Sequence, residues 1–337
     1  MIVFSKDFPI FDEAQWPLSY VQTNVVSQIN AALKDGSLNT RKNTCVCGSH
    51  KDTFVISGCD RYGMNIPQVL CRECGLVRSG LVFTDESNDL FYQKYYRKLY
   101  NANESVEQYF KKQCNRGEHF VELLSNLQIL DKIETVAEIG CGSGGVLFPL
   151  FKIGKNVRGY DYDESFLEYG KIKGLNLYQE DFYRSVENNS IDLVIASHVV
   201  EHFTNPLDGI VRILQKAKVG GYFVMEVPGL YWFPPSGFNP LTNFQNAHVI
   251  QYFYKDYLEF LFQTLGVEIL YGDERCTFIC RIVSPINNID ELAPNDKLRV
   301  CAMKNLDYLK RRRKELSRRV KLKTKIHRWL RKNNLVR

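Results

Sequence analysis

The sequence predicts an α/β protein whose main domain is a doubly wound, Rossmann-like sheet that ends in an antiparallel hairpin. Three observations carry that expectation. Between residues 131 and 285, short apolar runs alternate with helical stretches, the pattern of consecutive strand–helix–strand units. The first run passes directly into a cluster of glycines, Gly140-Cys141-Gly142-Ser143-Gly144-Gly145. The last two runs are joined by Gly272-Asp273-Glu274-Arg275, which reads as a hairpin and closes the sheet with an antiparallel pair.

The elements follow in order. Val25 to Leu33 is a short helical stretch that ends at Asp35-Gly36. Phe110, Cys114, Phe120, Leu123, Leu124 and Leu127 fall at helical spacing within a segment rich in Tyr and Phe. Thr135 to Ile139 is a buried strand, followed by strands at Asn156 to Tyr160, Leu175 to Tyr178, Ile191 to Ala196 and Tyr222 to Val227. A helix over Pro206 to Lys218 is expected to stop at Gly220-Gly221, and another runs from Tyr254 to Leu265. Strands at Val267 to Tyr271 and Cys276 to Val283 make the hairpin.

Composition narrows the class. The 337 residues are 45% hydrophobic and 24% charged, the balance of an ordinary globular protein, which excludes collagen-like, wholly disordered and disulfide mini-protein chains. No stretch reaches the ~20 apolar residues of a spanning helix, and Lys6 and Asp7 interrupt the start of the chain before a secretory signal can form. The ten cysteines suit a reducing compartment, so a cytoplasmic location is expected. The net charge of +6 is uneven. Residues 310–337 hold 14 Lys/Arg against Glu315 alone, a net of +13, which leaves −7 on the rest. Anionic partners are therefore addressed by the end of the chain.

Two clusters carry chemistry by spacing alone. Cys45-Val46-Cys47-Gly48 and Cys71-Arg72-Glu73-Cys74-Gly75 resemble two zinc knuckles, the first shortened to C-x-C. Four thiolates make a closed tetrahedral shell, hence a structural rather than catalytic Zn2+ site, with Cys59 or His50 as a substitute ligand if Cys45 does not take part; unpaired structural cysteines or a redox pair are the rival readings. The glycine cluster permits a sharp turn and close approach of a ligand. Gly140, Gly142 and Gly145 also fit the dinucleotide pattern G-x-G-x-x-G, with Asp161 placed to accept ribose hydroxyls. His198-x-x-Glu201-His202 matches the inverted zinc-protease signature, although it follows a buried strand inside the sheet.

Taken with Glu138 two positions before the first glycine, Asp161 after the second strand, Asp181-Phe182 after the third, the run Asp192 to Phe203, Asn205-Pro206, Gly220-Gly221 and Glu226-Val227-Pro228, residues 113–283 resemble the class I S-adenosylmethionine-dependent methyltransferases, in particular those of polysaccharide and antibiotic-sugar pathways. The resemblance implies S-adenosylmethionine as methyl donor, held by Glu138, Gly140, Gly142, Gly144, Asp161, Asp181, Phe182 and Ser197, with Tyr160 as another aromatic near the adenine. It implies His202 as general base and Glu201 as the carboxylate that orients the acceptor, or else a His202 that only caps or packs a helix. His248 either touches the acceptor or holds its loop. Tyr95, Tyr96 and Arg97 resemble the tyrosine-containing lid of such enzymes, against the plainer reading of a core stripe. An N-terminal zinc module fits the same enzymes, and the lack of a counterpart to the larger C-terminal domain of the sugar C-methyltransferases favours O-methylation.

The expected organisation is an N-terminal arm (1–40), a zinc-binding module (41–84), a helical lid or linker (85–130), the methyltransferase domain (131–285) and a basic helical tail (286–337). If Leu316 to Leu330 is helical, it is amphipathic and basic with Trp329 on its apolar side, which suits an anionic membrane surface on the inner face. RNA binding, as in a zinc-containing RNA methyltransferase, and packing on a protein partner are the rival readings of the tail. The acceptor expected is a sugar, nucleotide sugar or glycan. The rival readings of the whole chain are a sugar C-methyltransferase and a non-catalytic docking protein on a methyltransferase fold.

Overall fold

The computed structural model describes residues 14, 17–49, 53–100, 105–231, 250–289, 292–312 and 314, together with the backbone alone of residues 2–4 and 97. His50, His248 and the segment 315–337, which includes the expected helix Leu316 to Leu330, lie outside the described residues.

The chain begins with strand β1 (Ile2–Phe4) and helix α1 (Tyr20–Asp35). A capping box between Ser19 and Gln22 starts α1 five residues before the expected Val25, and Gly36 at φ +82° ends it. Five short strands follow: β2 (Thr40–Lys42), β3 (Thr53–Ser57), β4 (Gln68–Cys71), β5 (Val77–Ser79) and β6 (Leu81–Phe83). Helix α2 (Asp85–Phe91) continues through a π-helical turn, Tyr92–Tyr96, into α3 (Arg97–Tyr100). Val25, Val26 and Ile29 of α1 share a core with Tyr62, Met64, Phe83, Phe91, Tyr95 and Leu99. Tyr95 is thus a core residue, as the plainer reading of the lid had it.

Helix α4 (Val106–Asn126) is capped by a second box, Ser105 with Gln108, and buries Phe110, Gln113, Gly117, Phe120 and Leu124 in one stripe. The α/β unit then runs β7 (Thr135–Ile139), α5 (Leu147–Lys152), β8 (Asn156–Tyr160), α6 (Glu164–Ile172), β9 (Asn176–Tyr178), α7 (Phe182–Ser185), β10 (Ile191–Ser197), α8 (Pro206–Leu214) and β11 (Ala217–Glu226). After β12 (Gln251–Tyr252) and α9 (Lys255–Thr264) comes the hairpin β13 (Glu268–Gly272) and β14 (Thr277–Arg281). A further helix, α10, covers 296–312.

The seven-stranded sheet has the order β13-β14-β11-β10-β7-β8-β9, mixed but largely parallel. Strands β7 to β11 are parallel, β14 runs antiparallel to β11, and β13 antiparallel to β14. The order reverses between β7 and β10, which opens a crevice beyond their carboxyl ends, the place where such sheets take ligands. The expected strands and hairpin are all present.

Two expectations need correction. The helix predicted over Pro206 to Lys218 ends at Leu214, and Gly220-Gly221 lie inside β11 rather than at a helix end. Ala217 already pairs with Ile191 while Tyr222 pairs with Leu193, so β11 carries a bulge, with Gly220 at φ +86°. Nor is the cysteine segment self-contained. Its five-stranded sheet, β1-β3-β4-β5-β12, takes its last strand from residues 251–252. Helix α10 also packs on the second knuckle: Asn305 Nδ2 donates to Gly75 O at 2.9 Å, Arg299 pairs with Glu73 at 3.2 Å, and a Cβ on Gly75 would meet Ala302 Cα at 2.9 Å. Among the described residues, no helix is long and apolar enough to cross a membrane.

Asp192 fixes the lower edge of the central strands. Its Oδ2 accepts from Thr135 N and Oγ1 at 2.8 and 2.9 Å and from Glu134 N at 3.1 Å, and its Oδ1 meets Lys218 Nζ at 2.7 Å. Burial alone would raise its pKa, but Lys218 and these donors outweigh it and hold the carboxyl at about 2. A depressed carboxylate stabilises the fold above its unfolded value and loses that contribution as pH falls through the folded value. Asp192→Asn is expected to cost about 2 kcal/mol near pH 7. Urea denaturation should show the gap from the parent closing between about pH 4 and 2; a constant gap across that range would contradict the assignment.

Candidate active site

The crevice is built on the turn after β7. Gly140, Gly142 and Gly144 take φ values of +66°, +55° and +75°, a region that side-chain-bearing residues rarely adopt. Gly140 N and Cys141 N donate to Tyr160 O at 2.8 and 3.1 Å, which ties the turn to the end of β8. Asp161, one residue on, accepts from Gly142 N through Oδ2 at 2.8 Å and from Asp163 N through Oδ1 at 2.9 Å. A carboxylate accepts about four hydrogen bonds, so both oxygens keep capacity for hydroxyl donors.

Helix α4 braces the turn from the other side. Gln113 Nε2 donates to Cys141 O at 3.0 Å, while its Oε1 accepts from Ser143 Oγ at 2.8 Å and Gly145 N at 3.2 Å. A Cβ on Gly145 would lie 2.5 Å from Gln113 Cβ, so this glycine serves close packing. Sequence reasoning missed Gln113. Its only signal was a polar residue within the buried helical stripe.

Two buried groups at the strand ends lack partners. Glu138, at the end of β7, is 0% exposed and neither carboxylate oxygen has a hydrogen-bond partner. Burial pushes its pKa well up, Arg116 opposes the rise and Asp161 adds to it. Ser197 Oγ, at the end of β10, is likewise buried and unpartnered. Such groups are costly in a closed interior and suit a site that a cationic, polar ligand completes.

The residues expected near an adenine separate. Asp181 caps α7 by accepting from Arg184 N at 3.1 Å. Phe182 is buried in the core, edge-on to Tyr160 and Tyr183 with ring centroids 5.5 and 5.8 Å away, and Tyr160 is itself buried. The aromatic that faces solvent here is Tyr162, 72% exposed, whose phenol is raised first by burial and then by the charges of Asp181 and Asp161. Its place directly after Asp161 was the available clue.

Beyond the ends of β10 and β11 lie alternating charges. Arg116 Nε of α4 lies 2.9 Å from Glu226 Oε1, and the same oxygen is 3.2 Å from His198 Nε2. His198 Nδ1 is 3.3 Å from Glu201 Oε1, and that oxygen is 3.9 Å from His202 Nε2. Thr277 Oγ1 donates to Glu226 Oε2 at 3.0 Å. Burial favours the neutral acids, yet the His198 hydrogen bond and the Arg116 charge hold Glu226 at about 2, and the two histidines keep Glu201 low. Burial likewise disfavours the charged imidazole of His198, but its bonds to Glu201 and Glu226 prevail and raise its pKa.

His198 and His202 do not share a helical face. Val200–His202 forms a 3-10 turn, and both nitrogens of His198 are taken by carboxylates, which removes the protease-type metal reading. Burial raises the phenols of Tyr92 and Tyr96, and the neighbouring phenols, Tyr96 for Tyr92 and Tyr62 for Tyr96, add to the rise. Ile250, two positions after His248, donates its N–H to Glu201 O at 2.8 Å.

Cys45, Cys47, Cys71 and Cys74 converge, all buried, with every pair of sulfurs within 4.8 Å. Cys45 to Cys74 is 3.4 Å and Cys47 to Cys71 is 3.7 Å, too long for disulfides. Four sulfurs at ~2.3 Å from one ion would stand roughly 3.8 Å apart, so the set fits a tetrahedral thiolate site. Gly48 N and Gly75 N turn back to Cys45 O and Cys71 O, as knuckles do. Cys59 is not in the cluster.

Gly117 tests the seating of α4 against the turn. A Cβ there would lie 2.4 Å from Val146 O. Ala normally gains ~0.5–1 kcal/mol over Gly inside a helix, whereas overpacking costs ~1–3 kcal/mol. Gly117→Ala should therefore lower the thermal midpoint; a raised midpoint would show the contact to be loose.

Comparison with known proteins agrees with this geometry. Residues 137–225 match the family model described as a methyltransferase domain. The chain is similar to a ubiquinone biosynthesis O-methyltransferase of Rickettsia canadensis (strain McKiel), 29% identical over 118 residues, 33% of this chain and 50% of that protein. The corresponding protein of Rickettsia typhi (strain ATCC VR-144 / Wilmington) is 32% identical over 109 residues, 31% of this chain and 42% of that protein. The chain thus spans about half the length of the curated relatives it matches. Among solved structures, an O-methyltransferase family protein from Burkholderia thailandensis aligns with TM-score 0.43 and 14% identity, covering 60% of this chain and 63% of that one. The matched segment, which contains the glycine turn, Asp161 and the Glu201 loop, is similar to a methyltransferase domain.

Proposed function

We propose that this protein transfers a methyl group from S-adenosylmethionine to a hydroxyl oxygen of a sugar or glycan. The observation that carries the reading is Glu138, a buried carboxylate without a partner, set beside Asp161 at the crevice where the strand order reverses. The residues present fit the donor. Glu138 and Ser197 suit its polar, cationic end, Asp161 suits ribose hydroxyls, and Tyr162 offers the exposed ring for adenine, with Asp181 at its edge. When bound, S-adenosylmethionine supplies an electrophilic methyl on a sulfonium.

The chain's own work is alignment and proton removal. Holding reactants in line contributes up to ~7–11 kcal/mol, and a positioned base adds ~10²–10⁴-fold. Glu201, buried and ionised, orients the acceptor hydroxyl, and His202 takes its proton as the new O–CH₃ bond forms and the S–CH₃ bond breaks. The curated relatives are named for ubiquinone biosynthesis. Here the polar cluster of Glu201, Glu226, His198 and His202 supports a polyhydroxyl acceptor over an apolar one.

Calorimetry tests the donor directly. The parent chain should bind S-adenosylmethionine, and Asp161→Ala should weaken that binding at least tenfold; a silent parent would overturn the reading.

We also propose that the four thiolates hold a structural Zn2+. Arg78 supports it: this side chain is 3% exposed, its Nε and Nη1 have no partner, and its charge favours the Cys45 thiolate. A Zn2+ with four thiolates carries net −2, which gives the buried guanidinium a counter-charge. Purified protein should contain about one zinc per chain, and Arg78→Gln should release it faster to a chelator. Zinc-free protein that keeps its melting point would refute the site.

A further inference from the structure

We infer that His198 is a positioning residue, a doubly protonated imidazole locked between Glu226 and Glu201, which fixes the Glu201 carboxylate for the acceptor and assigns the proton-accepting role to His202. The inference rests on the proposed methyl transfer for the role of Glu201, but the clamp itself stands on geometry.

Each ring nitrogen of His198 faces a different carboxylate oxygen, Nε2 to Glu226 at 3.2 Å and Nδ1 to Glu201 at 3.3 Å. A neutral imidazole has one donor and one acceptor nitrogen, so one of the two contacts would set a lone pair against a carboxylate. Both contacts are satisfied only when both nitrogens carry hydrogen. Such a ring has no lone pair with which to accept a proton, and it is not the base.

The backbone enforces the arrangement. His198 sits at φ +55°, uncommon for a residue with a side chain, and its N–H donates to Glu226 O at 2.8 Å. The charged groups facing the ring are Glu201 from the 3-10 turn, Glu226 from β11 and Arg116 from α4; His202 lies on the Glu201 oxygen rather than on the ring, and Thr277 of β14 bonds the far oxygen of Glu226. Arg116 competes for Glu226 and opposes the charge on His198; the two carboxylates prevail. Glu201 Oε1 is thus anchored to the cation, and Oε2, buried and without a partner, is the oxygen left for the acceptor.

Ring-nitrogen NMR of the full ¹⁵N-histidine-labelled chain tests the clamp without an acceptor. At pH 7, one histidine should show two protonated nitrogens, and its signal should vanish in His198→Gln. Glu226→Gln, which keeps the shape, should lower the titration midpoint of His198 by at least about one pH unit, since a close opposite charge shifts a pKa by ~1–3. A neutral His198 at pH 7, or a midpoint unmoved in both Glu226→Gln and Glu201→Gln, would overturn the inference. In calorimetry, His198→Gln should bind S-adenosylmethionine within about threefold of the parent; a greater loss would place His198 in donor binding instead. A parent chain that binds no donor would remove the substrate role of Glu201, whereas the protonation result decides the clamp by itself.

Discussion

The contact between the Asp161 carboxylate and the Gly142 amide joins the ends of two neighbouring parallel strands across the mouth of the crevice. It depends on a backbone that only glycine adopts easily, and on α4 pressing the turn from behind through Gln113. Glu138 stays buried at the end of β7 beside this turn, and burial there pushes its pKa well up.

The charged cluster beyond β10 and β11 depends on a different balance. Four charged groups alternate in sign from Arg116 through Glu226 and His198 to Glu201. Each buried acid is hydrogen-bonded to a cation or hydroxyl, which is how a low-dielectric wall keeps ionised carboxylates. The groups come from α4, β11, and the turn after β10, so the wall exists only when the sheet is assembled.

That dispersal explains what the sequence reveals and what it hides. Strands β7 to β11 are legible because their apolar runs are short and bounded by turn residues, which places Glu138 in the first run, Asp161 directly after the second and Glu201 just beyond the fourth. The end of α8 is not, because Gly220-Gly221 looks like a helix stop and acts as a strand bulge. Gln113 and Arg116 are hidden because they sit on a helix whose partners lie far along the chain, Cys141 for Gln113 and Glu226 for Arg116. His198 passes for a member of a helical pair until its φ angle and its two carboxylates are seen. Phe182 illustrates the opposite error: an aromatic beside a site acid can belong to the core.

Strand β12 gives the cysteine segment a dependence on the catalytic half that its spacing conceals. Residues 251–252 complete its sheet, and the adjacent Ile250 amide holds the Glu201 carbonyl while Ser79 N holds Ile250 O. The module is therefore not a detachable cartridge. Grafting it onto another protein would have to carry residues 251–252 along, because Ser79, Ile250 and the Glu201 carbonyl are linked in series by two hydrogen bonds.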